Sequence, residues 1–229
     1  MSSSANGRPL RLALFDCDGT LVDSQFAIID SMTSAWAAHG LGEPDPLEVR
    51  RMVGLPLVQA VALLLPDLDT DRHVAVAESY KDAFAALRRR GDLHEPLFPG
   101  LIDTLDALEA EGVLLGVATG KSRRGLDAVL AHHGLTHRFA TLQTSDFGPG
   151  KPHPDMVHRA LAETGAEAAE TVVIGDTTYD MQMARNARVA AVGVSWGYHA
   201  VAELEAAGAD RIVHRGREVA DAVLALLDR

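Results

Sequence analysis

An α/β fold with a doubly wound parallel sheet is predicted by three features of the sequence. Short apolar runs bounded by turn residues recur along the chain, each is followed by a helical pattern, and one long stretch carries helices without strands. Strands alternating with helices imply βαβ units, in which helices cover both faces of a parallel sheet.

The strands are expected at Leu10–Phe15, Val113–Ala118, Thr171–Ile174, Val189–Val194 and Arg211–Val213. Before the first, residues 1–9 are small and polar and read as a loose leader. Helix starts are legible between the later strands. Gly100 precedes a helix over Leu101–Glu111, Ser122 caps one that runs to His133 before Gly134, and Pro154 suits the first turn of Asp155–Thr164. From Val22 to Pro96 the pattern changes to helices alone: Ser24–His39, Pro46–Val53, Pro56–Leu65 and Thr70–Arg90, divided by Gly40, Gly54-Leu55-Pro56 and Pro66. That block is too long for an ordinary crossover, so residues 22–96 are expected to form an inserted all-helical cap subdomain on a Rossmann-like core made of 1–21 and 97–229. Hinges are expected at Leu21–Ser24 and Leu97–Gly100.

Composition narrows the function classes. The chain has 229 residues, 23% charged and 47% hydrophobic, an ordinary globular balance that excludes a disordered chain. Its net charge of −11 disfavours nucleic acid, whose phosphates attract Lys and Arg. A single cysteine, Cys17, excludes a disulfide scaffold. Neither a signal-peptide core nor an apolar run of about 20 residues is found, so a cytoplasmic protein without a membrane partner is expected, as a monomer or weak homodimer.

In such sheets ligands sit beyond the carboxyl ends of the strands. There the sequence places Asp16-Cys17-Asp18-Gly19-Thr20, Ala118-Thr119-Gly120-Lys121, the turn Gly150-Lys151-Pro152, and Gly175-Asp176-Thr177-Thr178-Tyr179-Asp180. Asp16, Asp18, Asp176 and Asp180 would converge, with alternation putting Asp16 and Asp18 on one side. Carboxylates that close repel one another unless a cation intervenes. An oxygen-rich site of this kind suits Mg²⁺, and Lys151 adds a fixed positive charge. A hard cation, a lysine, hydroxyls and carboxylates suit a phosphoryl group, with an aspartate attacking phosphorus.

Taken singly, most of these residues have ordinary structural explanations. A strand-end Asp is commonly a cap, Thr119 and Lys151 alone are weak signals, and Asp180 fits the first turn of its helix beside the dipole. Asp-x-Asp-Gly-Thr after a strand is stronger, because its chance occurrence in a chain this long is on the order of one in a thousand.

These motifs, in this order, resemble those of the haloacid dehalogenase superfamily phosphohydrolases with a helical cap after the first strand. The chain is similar to phosphoglycolate phosphatases along nearly its whole length, including the Phe98-Pro99-Gly100 re-entry. The resemblance implies that Asp16 is the nucleophile and Asp18 the general acid/base. It implies that Thr119 and Lys151 bind the phosphoryl group, with backbone N–H groups of Cys17–Gly19 and of Gly120 adding donors. It further implies that Mg²⁺ is held by Asp16, Asp176 and the backbone carbonyl of Asp18, with Asp180 in support. Family members acting on carbon lack the second aspartate, so Asp18 points to phosphorus.

Substrate choice is expected in the cap. Arg50-Arg51-Met52-Val53-Gly54-Leu55-Pro56 resembles the specificity loop of related phosphatases, with Arg51 expected to grip a carboxylate and Gly54 to turn the loop toward the core. A solvated helix end is the plainer alternative for Arg51. His39, Lys81 and Arg88–Arg90 read as surface positions, Trp36 and Trp196 as packing residues, and Lys121, Arg123 and Arg124 as cations raising the local potential without a catalytic role. Cys17, flanked by anions, reads as a poor nucleophile. The expected activity is hydrolysis of a small phosphorylated metabolite through an aspartyl-phosphate. A β-phosphoglucomutase-like mutase or a pyrophosphatase on the same core, and a receiver-like phospho-acceptor module, are the alternatives. The proton-transfer group Asp18 and the long helical insert count against the receiver.

Overall fold

A computed structural model describes residues 9–228 of the chain. The leader expected at 1–9 therefore lies, for residues 1–8, outside the described residues. Strand β1 (Arg11–Phe15) leads into four helices, α1 (Gln25–Ala38), α2 (Pro46–Arg51), α3 (Leu57–Leu64) and α4 (Thr70–Arg90). Then follow α5 (Leu101–Ala110), β2 (Val113–Thr119), α6 (Arg123–His132), β3 (Phe139–Thr144), α7 (Asp155–Thr164) and β4 (Thr171–Gly175). The chain closes with α8 (Thr178–Ala187), β5 (Ala190–Val194), α9 (Val201–Ala207), β6 (Arg211–Val213) and α10 (Val219–Leu227).

The strands form one parallel sheet in the order β3-β2-β1-β4-β5-β6. Strand β1 lies inside it, and its alternate residues separate two cores. Leu12 and Leu14 join Met156 and Val157 of α7 and Ala184 of α8, whereas Ala13 and Phe15 join Leu105 of α5, Leu126 of α6 and Val223 of α10. Burial on both faces explains why β1 reads as a continuous apolar run. Full burial of a side chain such as Phe15 contributes about 1.5–3 kcal/mol. The chain winds outward through β2 and β3, then returns to β4 on the other side of β1, so the strand order reverses at β1.

Strand β3 is a correction to the sequence reading, which has no strand over 139–144. The run Phe-Ala-Thr-Leu-Gln-Thr places Thr141 and Gln143 inward, and both are buried. Glu163 of α7 accepts hydrogen bonds from Thr141 Oγ1 at 2.6 Å and from Gln143 Nε2 at 2.7 Å. A pattern search for apolar residues misses an edge strand whose inward side chains are polar and satisfied from a helix 20 residues away.

The four helices between β1 and α5 enclose their own apolar cluster, with Ile28, Met32 and Trp36 of α1, Val61 of α3, and Val76 and Phe84 of α4. The Asp69 side chain accepts from Arg72 N–H to start α4, and Gly91 ends it in the left-handed conformation at φ 77°. The two chain crossings into and out of this block run side by side. Val22 pairs antiparallel with Leu97, Asp23 N–H donates to Pro96 O at 2.9 Å, and Phe98 N–H donates to Leu21 O at 3.0 Å. Among the described residues, no helix is long and apolar enough to cross a membrane.

Candidate active site

The carboxyl ends of β1 and β2 line the floor of a cavity of about 510 Å³, roofed by the helical block, and the end of β4 and the turn before α7 bring Asp176, Asp180 and Lys151 against Asp16 beneath it. Asp16 extends β1 by one bond, its N–H donating to Ile174 O at 2.8 Å. The chain then turns back on itself, with Leu21 and Val22 N–H both donating to Cys17 O. Gly19 makes that turn at φ 84°, and a Cβ there would lie 2.4 Å from Asp176 Oδ2. The N–H of Gly19 donates to Val22 O, and that of Cys17 to Asp16 Oδ1 at 2.6 Å. Two of the backbone donors expected for a phosphoryl group are therefore engaged within the turn, and Gly19 serves by leaving room for Asp176.

Lys151, fully buried, bridges Asp16 Oδ1 at 2.8 Å and Asp180 Oδ1 at 2.6 Å. Asp180 also closes a capping box at the start of α8, where its Oδ2 accepts from Thr177 N–H at 3.1 Å and Thr177 Oγ1 at 2.7 Å. Its helix-start role and its place at the floor are thus compatible, one oxygen for each. Asp176 is held by Thr20 Oγ1 at 2.7 Å and Tyr198 N–H at 2.9 Å. Thr20 and Tyr198 are absent from the sequence-based assignments; Thr20 sits within the Asp-x-Asp-Gly-Thr motif and carried a signal, Tyr198 did not.

A divalent cation fits this floor. Asp16, Asp176 and Asp180 each offer an oxygen, all within 4.8 Å of one another and all buried. Asp16 Oδ2 is buried with no hydrogen-bond partner. Burial pushes the Asp16 carboxyl up to about 7, with Asp180 and Asp18 adding to the rise and Lys151 opposing it. Burial, Asp16 and Asp180 likewise push Asp176 well above the usual carboxylate range. Fully ionised, the three carboxylates and one ammonium would carry two negative charges, the complement of one divalent ion, and without a cation the raised values of Asp16 and Asp176 resist that state. Dehydrating a charge costs several kcal/mol per ion, so an uncompensated pair of negatives is an unstable arrangement that a hard cation relieves.

Asp18 corrects the expectation that four carboxylates meet. Its side chain leaves the cluster and takes Ser24 Oγ at 2.5 Å and Lys121 Nζ at 2.9 Å. Only its backbone carbonyl remains available as a metal ligand. Lys121 is more than a contributor to the local potential: its side chain is buried and also pairs with Glu95 Oε1 at 3.1 Å. Burial disfavours its charge, but Asp18 and Glu95 outweigh that and hold the ammonium well above its ordinary value. Glu95 gave no sequence signal, because it reaches Lys121 only where the helical block returns to the sheet. Thr119 is buried at the end of β2, its hydroxyl accepting from Lys121 N–H at 3.1 Å and so keeping its proton to donate. Cys17 is buried, and burial followed by Asp18 raises its thiol well above the ordinary value, consistent with an inert residue.

The loop after α2 seals the cavity. Gly54, at φ 101°, lies against Thr177 and Tyr179, its carbonyl meets Gly120, and Pro56 meets Gly150. At Gly120 a Cβ would lie 2.8 Å from Gly54 O, so this glycine is required for the fit of loop to core. Arg51 does not turn inward as expected. Its exposed guanidinium pairs with Glu203 of α9 at 2.7 Å, and its carbonyl accepts from Tyr179 Oη and sits 3.1 Å from His199 Nε2. The attraction of Glu203, across the outer surface, decides its direction. His39 pairs with Ser79 at 2.9 Å, Trp36 packs within the helical cluster, and Trp196 packs on Phe98. Lys81 lines the cavity while pairing with Glu78, and Arg88 lines it half-buried, against the expectation of plain surface charges.

The family model described as haloacid dehalogenase-like hydrolase matches residues 13–194. A relative named "Probable phosphatase IndB", from Dickeya dadantii (strain 3937), is 36% identical over 220 residues, covering 94% of each chain. The phosphoglycolate phosphatase of Agrobacterium fabrum (strain C58 / ATCC 33970) is 32% identical over 207 residues, covering 86% of each. Among solved structures, the haloacid dehalogenase-like family hydrolase SP0104 from Streptococcus pneumoniae superposes with a TM-score of 0.81 at 28% identity, covering 93% of this chain and 98% of that one.

Proposed function

We propose, from the premise that this chain belongs to the haloacid dehalogenase-like hydrolase family and is a phosphatase, that it hydrolyses a phosphomonoester of a small organic molecule through an aspartyl-phosphate on Asp16, with Mg²⁺ as its cofactor. The observation that carries this reading is the separation of two neighbouring carboxylates: Asp16 is set into the buried floor, while Asp18 faces the cavity beside Lys121 and Ser24. One is placed to attack and the other to move a proton.

Asp16, Asp176, Asp180 and the carbonyl of Asp18 would hold the cation. When bound it neutralises the anionic floor and draws charge from a phosphoryl oxygen. The Thr119 hydroxyl and the Asp18 and Gly120 N–H groups take the remaining phosphoryl oxygens, and Lys151 holds the Asp16 carboxylate in its attacking orientation. The Asp16 carboxylate forms a bond to phosphorus as the bond to the ester oxygen breaks, and that oxygen leaves with the proton of Asp18. Water then gives a proton to Asp18 and its oxygen to phosphorus, releasing inorganic phosphate and restoring the Asp16 carboxylate. Residues 22–96 act as a cap hinged at Leu21–Ser24 and Leu97–Gly100, opening at the Gly54–Pro56 contacts to exchange substrate and product and closing to exclude water.

The test is phosphate release from a panel of phosphate esters, sugar phosphates, nucleotides and pyrophosphate, with Mg²⁺, with chelator and with Ca²⁺. Release with Mg²⁺, its loss on chelation, and weak support by Ca²⁺, whose looser coordination misplaces Asp16, are expected. Release from no compound would overturn the reading.

A further inference from the structure

Neither Lys121 nor Glu95 takes part in the steps of phosphoryl transfer, yet both are built around the side chain that moves the proton. Lys121 Nζ and Ser24 Oγ reach the same oxygen of Asp18, Oδ1, at 2.9 and 2.5 Å. Among the described residues, no hydrogen bond reaches Oδ2, the oxygen left to the cavity that Asp18 lines. A carboxyl gripped by one oxygen presents the other in a single direction, which is what proton transfer to a bound ester needs.

Lys121 is itself held. Its Nζ donates to Glu95 Oε1 at 3.1 Å and lies 4.9 Å from the centroid of the Phe84 ring. Glu95 is fixed in turn, because its carbonyl accepts from His133 Nε2 at 2.8 Å and the next carbonyl, that of Pro96, accepts from Asp23 N–H. Its other carboxylate oxygen lies 3.9 Å from Arg88 Nη2, too far for a hydrogen bond, so among the described residues Lys121 is the one side chain to which the Glu95 carboxylate is hydrogen-bonded. The side chains of Lys121, Asp18 and Glu95 are 9%, 10% and 5% exposed, so solvent does not screen them as it would a surface pair. A buried ion pair adds little stability beyond what apolar side chains of similar volume supply. Tying the returning chain to the core therefore needs no charges here, whereas fixing one oxygen of Asp18 does.

We infer that Glu95 and Lys121 are positioning residues for the reaction: Glu95 holds Lys121 against Asp18 Oδ1, and Lys121 keeps Oδ2 turned to the ester oxygen that receives the proton. This rests on the phosphatase reading above and deepens it.

The test uses the leaving group, with Mg²⁺ and full-length protein. An alkyl ester must leave with the Asp18 proton, whereas 4-nitrophenolate leaves as a stable anion, and kcat/KM reports the step in which the ester bond breaks. The variants are Glu95→Ala and Lys121→Met/Glu95→Gln, the second removing both charges of the pair so that neither is left buried alone. Each is expected to lower kcat/KM for the best alkyl ester of the panel by on the order of tenfold or more, and for 4-nitrophenyl phosphate by several-fold less. A role in folding alone, or in gripping the phosphoryl group, would lower both esters alike. Equal losses for the two esters, or an unchanged alkyl-ester kcat/KM, in either variant that folds overturns this inference and leaves the phosphatase reading intact. So does a wild type that turns over the aryl ester but no alkyl ester. Release by the wild type from no ester at all overturns the phosphatase reading and this inference with it.

Discussion

Floor and wall of the same cavity differ in what holds them in place. At the floor, Asp16, Asp176, Asp180 and Lys151 are fixed by strand ends, a capping box and buried ion pairs, so each side chain has one available direction. On the cap side, the wall of the cavity, apolar side chains of α1, α3 and α4 pack into a cluster of their own, and Arg51 and Lys81 take partners at the surface. The difference teaches where chemistry and selectivity are separable. The floor depends on electrostatics in a place without water, where a misplaced charge costs several kcal/mol. The wall depends on shape and apolar area, where single changes shift affinity gradually.

Breaking the floor should therefore have the largest effect. Lys151→Met removes the cation paired with Asp16 and Asp180 and leaves buried carboxylates facing one another. Metal-free protein is expected to lose about 3–5 kcal/mol of stability, read by denaturant unfolding. Turnover with Mg²⁺ should fall by on the order of 10²–10³ or more. Retained stability and turnover would show that Lys151 is a spectator.

A pH series sharpens the same contrast. The folded protein holds the Asp16 proton up to about pH 7, whereas the ordinary value is 3.8, so between those limits it binds more protons than the unfolded chain. Stability from this group is thus lost as pH rises through that window, and the loss is complete above it. In metal-free protein, Asp16→Asn is expected to gain Tm relative to wild type as pH goes from 4 to 7, and saturating Mg²⁺ should remove most of the difference. A difference that is flat with pH contradicts the electrostatic account of the floor.

The smallest effect is expected at the outer edge of the wall. Arg51 and Glu203 side chains are 51% and 36% exposed, so solvent screens their pair and it contributes little to closure. Arg51→Ala should change kcat/KM for a carboxylate-bearing ester no more than for an uncharged one. A selective rise in KM for the carboxylate would return Arg51 to the role the sequence suggested.

The same contrast explains what was legible in the sequence. Asp16, Thr119, Lys151 and Asp176 were recoverable because residue type at a strand end, or in the turn that opens a helix, almost dictates position in a parallel sheet. Arg51 was not, because a side chain at a helix end follows whichever partner is nearer, and Glu203 lies 152 residues away in sequence. Lys121 was read only as a cation raising the local potential, and Glu95 was not singled out, for a related reason: they meet only when the helical block folds back. Asp18 was recognised by type, but its side chain is turned by Ser24 and Lys121, neither of which the motif predicts. Strand β3 was lost because its inward residues are Thr and Gln, with their polarity answered by Glu163.

The central claim, that Asp16 carries the phosphoryl group during turnover, is tested most directly by acid-quenching the protein during hydrolysis of a phosphate ester with Mg²⁺ and locating the adduct by peptide mass spectrometry. The account predicts one phosphoryl group on the peptide containing Asp16 in wild type, and neither adduct nor turnover in Asp16→Asn. Turnover in Asp16→Asn at the wild-type rate, or a phosphoryl group trapped on another residue, would contradict it.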